Sequence, residues 1–151
     1  MNVTKITVPN ALMLGEVDNL LREGHSVVIM TKGCSMLPFI HGDRDSVELV
    51  RTESLKAGDI ALAQVSKGRY VLHRVIAVEG SAVTLKGDGN LDSTESCTLD
   101  DVCGIVRTIL RPGDRKTDCG TGWFGFISRT WRSMPRFFRR YFLAIYRRIF
   151  K

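Results

Sequence analysis

A chain of 151 residues is long enough for one ordinary domain with a real core and too short for two comfortable ones. Its apolar content of 44% and charged content of 25% exclude both a disordered chain and one embedded wholly in a membrane. Charge is spread unevenly: residues 1–122 hold 14 Lys and Arg against 16 Asp and Glu, whereas residues 123–151 hold eight basic residues and no acidic one, so the +6 excess sits at the C-terminal end.

Asn10 is placed to cap a helix in which Leu14, Val17 and Leu21 follow helical spacing, and Gly24 is placed to end it. From Ser26 the period changes. Runs rich in Val, Ile and Leu, broken by Gly and Asp, occupy residues 26–31, 45–51, 60–65, 70–78, 82–86 and 102–110. Six short strands with turn signals between them predict a mainly β fold with an antiparallel core. Arg111-Pro112-Gly113-Asp114 breaks the last run, and the polar stretch 112–122 is expected to link a domain over 1–111 to a tail over 123–151. In that tail Ile127, Trp131, Met134, Phe138, Phe142, Ile145 and Ile149 recur at steps of three or four, and Arg129, Arg132, Arg136, Arg139 and Arg140 fall largely elsewhere on the wheel. The pattern predicts a basic amphipathic helix, kinked or split at Pro135, which lacks an amide donor and clashes with the preceding turn.

Cys34, Cys97, Cys103 and Cys119 show no paired C-x-x-C spacing, and no N-terminal apolar stretch of signal-peptide type precedes them, so reduced thiols in a cytoplasmic protein are expected. His25, His41 and His73 supply no recognisable ligand spacing, and neither a metal nor another cofactor is expected. A serine in a turn, such as Ser35 in Gly33-Cys34-Ser35-Met36-Leu37-Pro38, is usually only a hydrogen-bonding residue, and a single strand histidine says little. What raises both is a series of blocks in fixed order: the Ser-Met turn, His41-Gly42-Asp43, Ala57-Gly58-Asp59-Ile60, Val71-Leu72-His73-Arg74-Val75-Ile76 and Lys86-Gly87-Asp88-Gly89-Asn90.

Over residues 31–106 this series resembles the catalytic core shared by LexA-type repressors and type I signal peptidases. The resemblance implies a LexA / signal-peptidase-like β core with a short N-terminal helix, to which the amphipathic C-terminal helix is added. It implies Ser35 as nucleophile and puts His73 in the base position, where LexA and the bacterial signal peptidases use Lys. A His followed by Arg is closer to the Ser-His branch of signal peptidases found in archaea and the endoplasmic reticulum. An imidazole can take a serine proton at neutral pH, which suits the pair chemically.

Ser-His relatives place one Asp in the Lys-Gly-Asp turn and a second about six residues on. Asp88 matches the first and is favoured as the group that orients His73; the position six later is Thr94, and Asp92 is the nearest alternative carboxylate. Asp88 can equally serve only to tie down its turn. The oxyanion hole is expected from the backbone amides of Cys34 and Ser35, because the first Ser of the common Ser-Gly-Ser-Met pattern is Gly33 here.

About 30 residues precede Ser35, fewer than a helix-turn-helix domain needs, and residues 1–30 contain no run of about 20 apolar residues. The expected protein is therefore a serine endopeptidase acting on a peptide or a signal- or leader-like segment, without either usual attachment. For the tail three readings stay open: an anionic membrane surface, packing on the core, and nucleic acid. The aromatic-rich composition favours the first, which would make the protein peripheral on a membrane. The contrasting expectation is a protease-derived module without turnover that binds membrane or nucleic acid.

Overall fold

A computed structural model describes residues 3–6, 11–90, 92–120 and 122–149. The first strand, β1 (Val3–Ile6), is followed by helix α1 (Ala11–Arg22) and by β2 (Ser26–Met30), β3 (Ser46–Val50), β4 (Ile60–Ser66), β5 (Arg69–Glu79) and β6 (Ala82–Lys86). Then come β7 (Glu95–Thr98), a single 3-10 turn at Leu99–Asp101, β8 (Val102–Arg111), β9 (Arg115–Asp118) and the helices α2 (Gly122–Ser133) and α3 (Arg136–Ile149). Helix α1 ends where expected, with Gly24 at φ 93° in the left-handed region that glycine enters at no steric cost. Its proposed cap, Asn10, lies outside the described residues.

The strands form one mainly antiparallel sheet in the order β1-β2-β3-β8-β4-β5-β6-β7, curled into a half-barrel, with β9 added beside β8. All six expected strands are present within one or two residues. Among the described residues only β1 and β2 run parallel, as the intervening α1 crossover allows. Bulges in the β3–β8, β4–β8, β4–β5 and β5–β6 pairings supply local bends. One apolar cluster gathers Val17 and Leu21 of α1 with Val27, Val47, Leu49 and Ile109 of the sheet, and a smaller one holds Ala61, Ala63, Val75, Val83, Leu85 and Val102.

Two expectations about chain organisation need correction. The stretch 112–122 is no plain linker: Gly113 (φ 80°) and Asp114 (φ 58°) turn the chain back so that β9 pairs with β8 from Arg111↔Arg115 to Thr108↔Asp118. An edge strand is held by main-chain hydrogen bonds and needs no apolar alternation, so Arg115-Lys116-Thr117-Asp118 carried no strand signal. Nor is 123–151 a detached tail. The helix splits at Pro135 as expected, but Phe124 and Trp131 of α2 and Leu143 of α3 are buried in the larger cluster. Phe39 meets Phe124 and Trp131 edge-on at centroid distances of 5.7 and 6.3 Å, and Trp131 meets Phe142 at 5.4 Å.

Candidate active site

Ser35 sits half-buried in the turn between β2 and β3. The residues after it, Met36, Leu37, Phe39 and Ile40, are buried, so the turn is anchored by its apolar half and presents Ser35 at the surface of the core. The Met36 carbonyl accepts the amides of Phe39 and Ile40, both at 3.0 Å. The His41-Gly42-Asp43 block closes the loop from beneath: the Asp43 amide donates to the Thr31 carbonyl at 2.8 Å, and any Cβ on Gly42 would collide with the Gly33 carbonyl oxygen. The buried Asp45 carboxylate accepts the His41 amide at 2.8 Å and the Arg44 guanidinium at 2.9 Å.

The Lys86–Asn90 turn lies directly against this loop. The Gly89 amide donates to the Ser35 carbonyl at 2.8 Å and the Asp88 amide to Met36 Sδ at 3.5 Å. A Cβ on Gly87 would stand 2.5 Å from the Ser35 carbonyl oxygen, and one on Gly89 2.7 Å from that of Cys34. The two glycines of Lys86-Gly87-Asp88-Gly89 thus permit backbone to touch backbone behind the serine, and Met36 joins the two turns through its sulfur.

Asp88 does not orient His73. Its two carboxylate oxygens accept a bidentate pair of hydrogen bonds from Arg74, Nε to Oδ1 at 3.2 Å and Nη2 to Oδ2 at 2.6 Å. Arg74 and His73 are successive residues of a strand and so point to opposite faces, which is why a carboxylate engaged by one does not serve the other. Arg74 Nη1 also donates to the Gly58 carbonyl at 2.9 Å, and its guanidinium lies 5.4 and 5.9 Å from the ring centroids of Phe39 and Phe124. The Asp88 carbonyl accepts Trp131 Nε1–H at 3.1 Å. The Arg74–Asp88 pair therefore ties the Ala57-Gly58-Asp59 turn, the glycine turn and α2 together behind the Ser35 loop. Asp92 is exposed and pairs with Arg136.

The carboxylate on His73 is Glu95. His73, buried on β5, has Nδ1 2.9 Å from Oε2 of Glu95, which stands at the start of β7 and also meets Arg69 Nη2 at 3.6 Å. A carboxylate can only accept, so Nδ1 carries a proton, and in the neutral imidazole Nε2 is the atom with the lone pair. Glu95 is one residue beyond Thr94, where the resemblance called for an acid. With an extra methylene relative to Asp, a Glu displaced by one position along the chain was the available signal.

Ser35 and His73 line a common cleft of about 250 Å³, whose other walls include Leu14, Ile29, Leu62 and Leu72. Among the described residues no hydrogen bond joins the Ser35 hydroxyl to His73. Among the same residues neither the Cys34 nor the Ser35 amide donates a hydrogen bond, which leaves both expected oxyanion donors free. Cys34 is exposed, whereas burial pushes the Cys103 and Cys119 thiols up to about 12. All four cysteines are free, and among the described residues no group of His, Cys, Asp and Glu could hold a metal ion. No family model matches the chain, and no curated protein matches it.

Proposed function

We propose that this protein is a serine endopeptidase of the LexA and signal-peptidase type, in which Ser35 is the nucleophile, His73 the general base and Glu95 the group that orients His73. The observation that carries the proposal is the Glu95–His73 contact at 2.9 Å on a histidine that shares a cleft with Ser35. With Nδ1–H held by the carboxylate, Nε2 is the ring atom left to take the Ser35 proton as Oγ attacks the scissile carbonyl carbon. The oxyanion that forms accepts hydrogen bonds from the Cys34 and Ser35 amides. Collapse of the intermediate expels the amine, which takes the proton from His73, and water then hydrolyses the acyl-enzyme by the same exchange. The apolar walls of the 250 Å³ cleft suit an aliphatic substrate side chain beside the scissile bond.

Ser35→Ala and His73→Ala should each abolish cleavage of a peptide library, and the double variant should be no worse, because members of one catalytic unit are not additive. A serine-reactive fluorophosphonate should label the wild-type chain at Ser35 and fail on His73→Ala. Undiminished turnover by either single variant, or labelling that ignores His73, sinks the assignment.

The tail supports a second element of the reading, attachment to an anionic lipid surface. Phe137, Phe138, Tyr141, Ile145 and Ile149 form an exposed face of α3, and no residue of 123–151 is acidic. No described helix is long and apolar enough to cross a membrane. Co-sedimentation with phosphatidylserine vesicles should exceed that with phosphatidylcholine vesicles and should fall in Phe137→Ser/Tyr141→Ser; equal recovery with and without vesicles removes this element.

A further inference from the structure

The arginines of α3 do not all belong to the aromatic side of the helix. Arg136, Arg140, Leu143 and Arg147 are spaced by four, three and four residues and fall on one stripe. Leu143 is buried, so the stripe faces the body of the protein. There it forms one wall of a second cleft, of about 620 Å³, whose other wall is Cys34, Ser35, Gly89 and Asn90. Ser35 is therefore common to two clefts of different character: the apolar one it shares with His73, and this cationic one.

The charges of the second cleft do not cancel. Asp92, the only acidic residue lining it among the described residues, is taken by Arg136, and Arg147 spends a donor on the Gly89 carbonyl at 3.2 Å. Arg140 is exposed and has no acidic partner among the described residues. Two uncompensated guanidinium groups in a concave wall beside a nucleophile recognise planar oxyanions, which they bind bidentately.

Building on the peptidase reading, we propose that the second cleft binds carboxylate groups of the substrate, so that the preferred peptide is apolar on one side of the scissile bond and acidic on the other. Because Ser35 lines both clefts, a main chain whose scissile carbonyl lies at Ser35 can place one segment in the apolar cleft and another against α3. The acidic partner is a peptide rather than a lipid because the stripe turns towards Ser35, away from the exposed aromatic face.

The test uses the full chain and fluorescein-labelled decapeptides with a common Ala/Leu half and a second half rich in Glu, Gln or Lys, each with a free or an amidated C-terminus. Binding is read by anisotropy on the Ser35→Ala chain and cleavage on the wild type. The Glu peptide should bind about three- to tenfold more tightly than the Gln peptide, with the advantage falling as salt is raised. Arg140→Ala should cut the Glu-to-Gln ratio by about three- to fivefold, and Arg140→Lys, which keeps the charge and loses the bidentate fork, should fall between the two. A Glu preference that persists in the amidated peptides assigns the site to acidic side chains; a gain from a free C-terminus that is the same for the Glu and Gln peptides assigns it to the terminal carboxylate. Equal affinity for the Glu and Gln peptides with no gain from a free C-terminus, or preferences untouched by Arg140→Ala, overturns the inference even if both are cleaved. Tight Glu-dependent binding without Ser35-dependent cleavage overturns the peptidase reading and leaves the cationic site standing.

Discussion

Replacing Asp88 by Asn separates a structural role from a catalytic one. Arg74 is 1% and Asp88 5% exposed, so the guanidinium left behind cannot recover its lost counter-charge from water. Removing one partner of such a buried pair costs about 3–5 kcal/mol. Asn keeps one oxygen able to accept from Arg74, which puts Asp88→Asn near the lower end, about 3 kcal/mol. Against a total stability on the order of 5–15 kcal/mol this is a large fraction, and for a chain of this size it should lower the melting temperature by about 6–12 °C. Thermal and urea unfolding followed by far-ultraviolet circular dichroism measure it, and Trp fluorescence gives a local readout because Trp131 donates to the Asp88 carbonyl. Arg74→Met/Asp88→Leu, which removes both charges and keeps apolar volume, should recover most of the loss. A variant Asp88→Asn that melts with the wild type yet loses turnover as fully as Glu95→Gln would refute the reasoning and return the orienting role to Asp88.

Glu95→Gln should leave the melting temperature within a few degrees of the wild type while lowering kcat by about 10²- to 10⁴-fold, as removal of the orienting carboxylate does in Ser-His-Asp enzymes; unchanged kcat would remove Glu95 from the unit. Gly87→Ala should impair cleavage by displacing the Ser35 loop, because its Cβ would stand 2.5 Å from the Ser35 carbonyl oxygen and 3.2 Å from Ser35 Cβ; steady-state kinetics beside a melting curve would show whether kcat falls further than stability. At pH 8 iodoacetamide should modify the exposed Cys34 first, since thiols pushed up to about 12 leave about one Cys103 or Cys119 in 10⁴ as thiolate. Peptide mapping by mass spectrometry reads the order, and early labelling of Cys103 would show that the core opens. Ending the chain at Gly122 should destabilise the remainder, because it strips Phe124, Trp131 and Leu143 from the main cluster; an unchanged denaturation midpoint would mean the helices are dispensable to the core.

The periodicities of the sequence were enough for helix α1, the six strongest strands and the break at Pro135, because each rests on a local pattern: apolar spacing, glycine at a positive φ, proline without an amide donor. The ordered blocks likewise singled out Ser35 and His73, and the structure brings both to one cleft. Strands β1, β7 and β9 were illegible, since Val3-Thr4-Lys5-Ile6, Glu95-Ser96-Cys97-Thr98 and Arg115-Lys116-Thr117-Asp118 are held by main-chain pairing with a neighbour that sequence cannot choose. The same limit governed the carboxylates. Asp88 stands where an orienting acid was sought and Glu95 one residue beyond the second such position, and which side chain each meets follows from strand geometry: successive residues Arg74 and His73 face opposite sides of β5, one towards the glycine turn and the other towards β7. The tail shows it on the largest scale. Its sequence determined a basic amphipathic helix kinked or split at Pro135, but which aromatics become core and which arginines turn towards Ser35 was decided only when α2 and α3 docked, because burial is a property of the surface a helix meets.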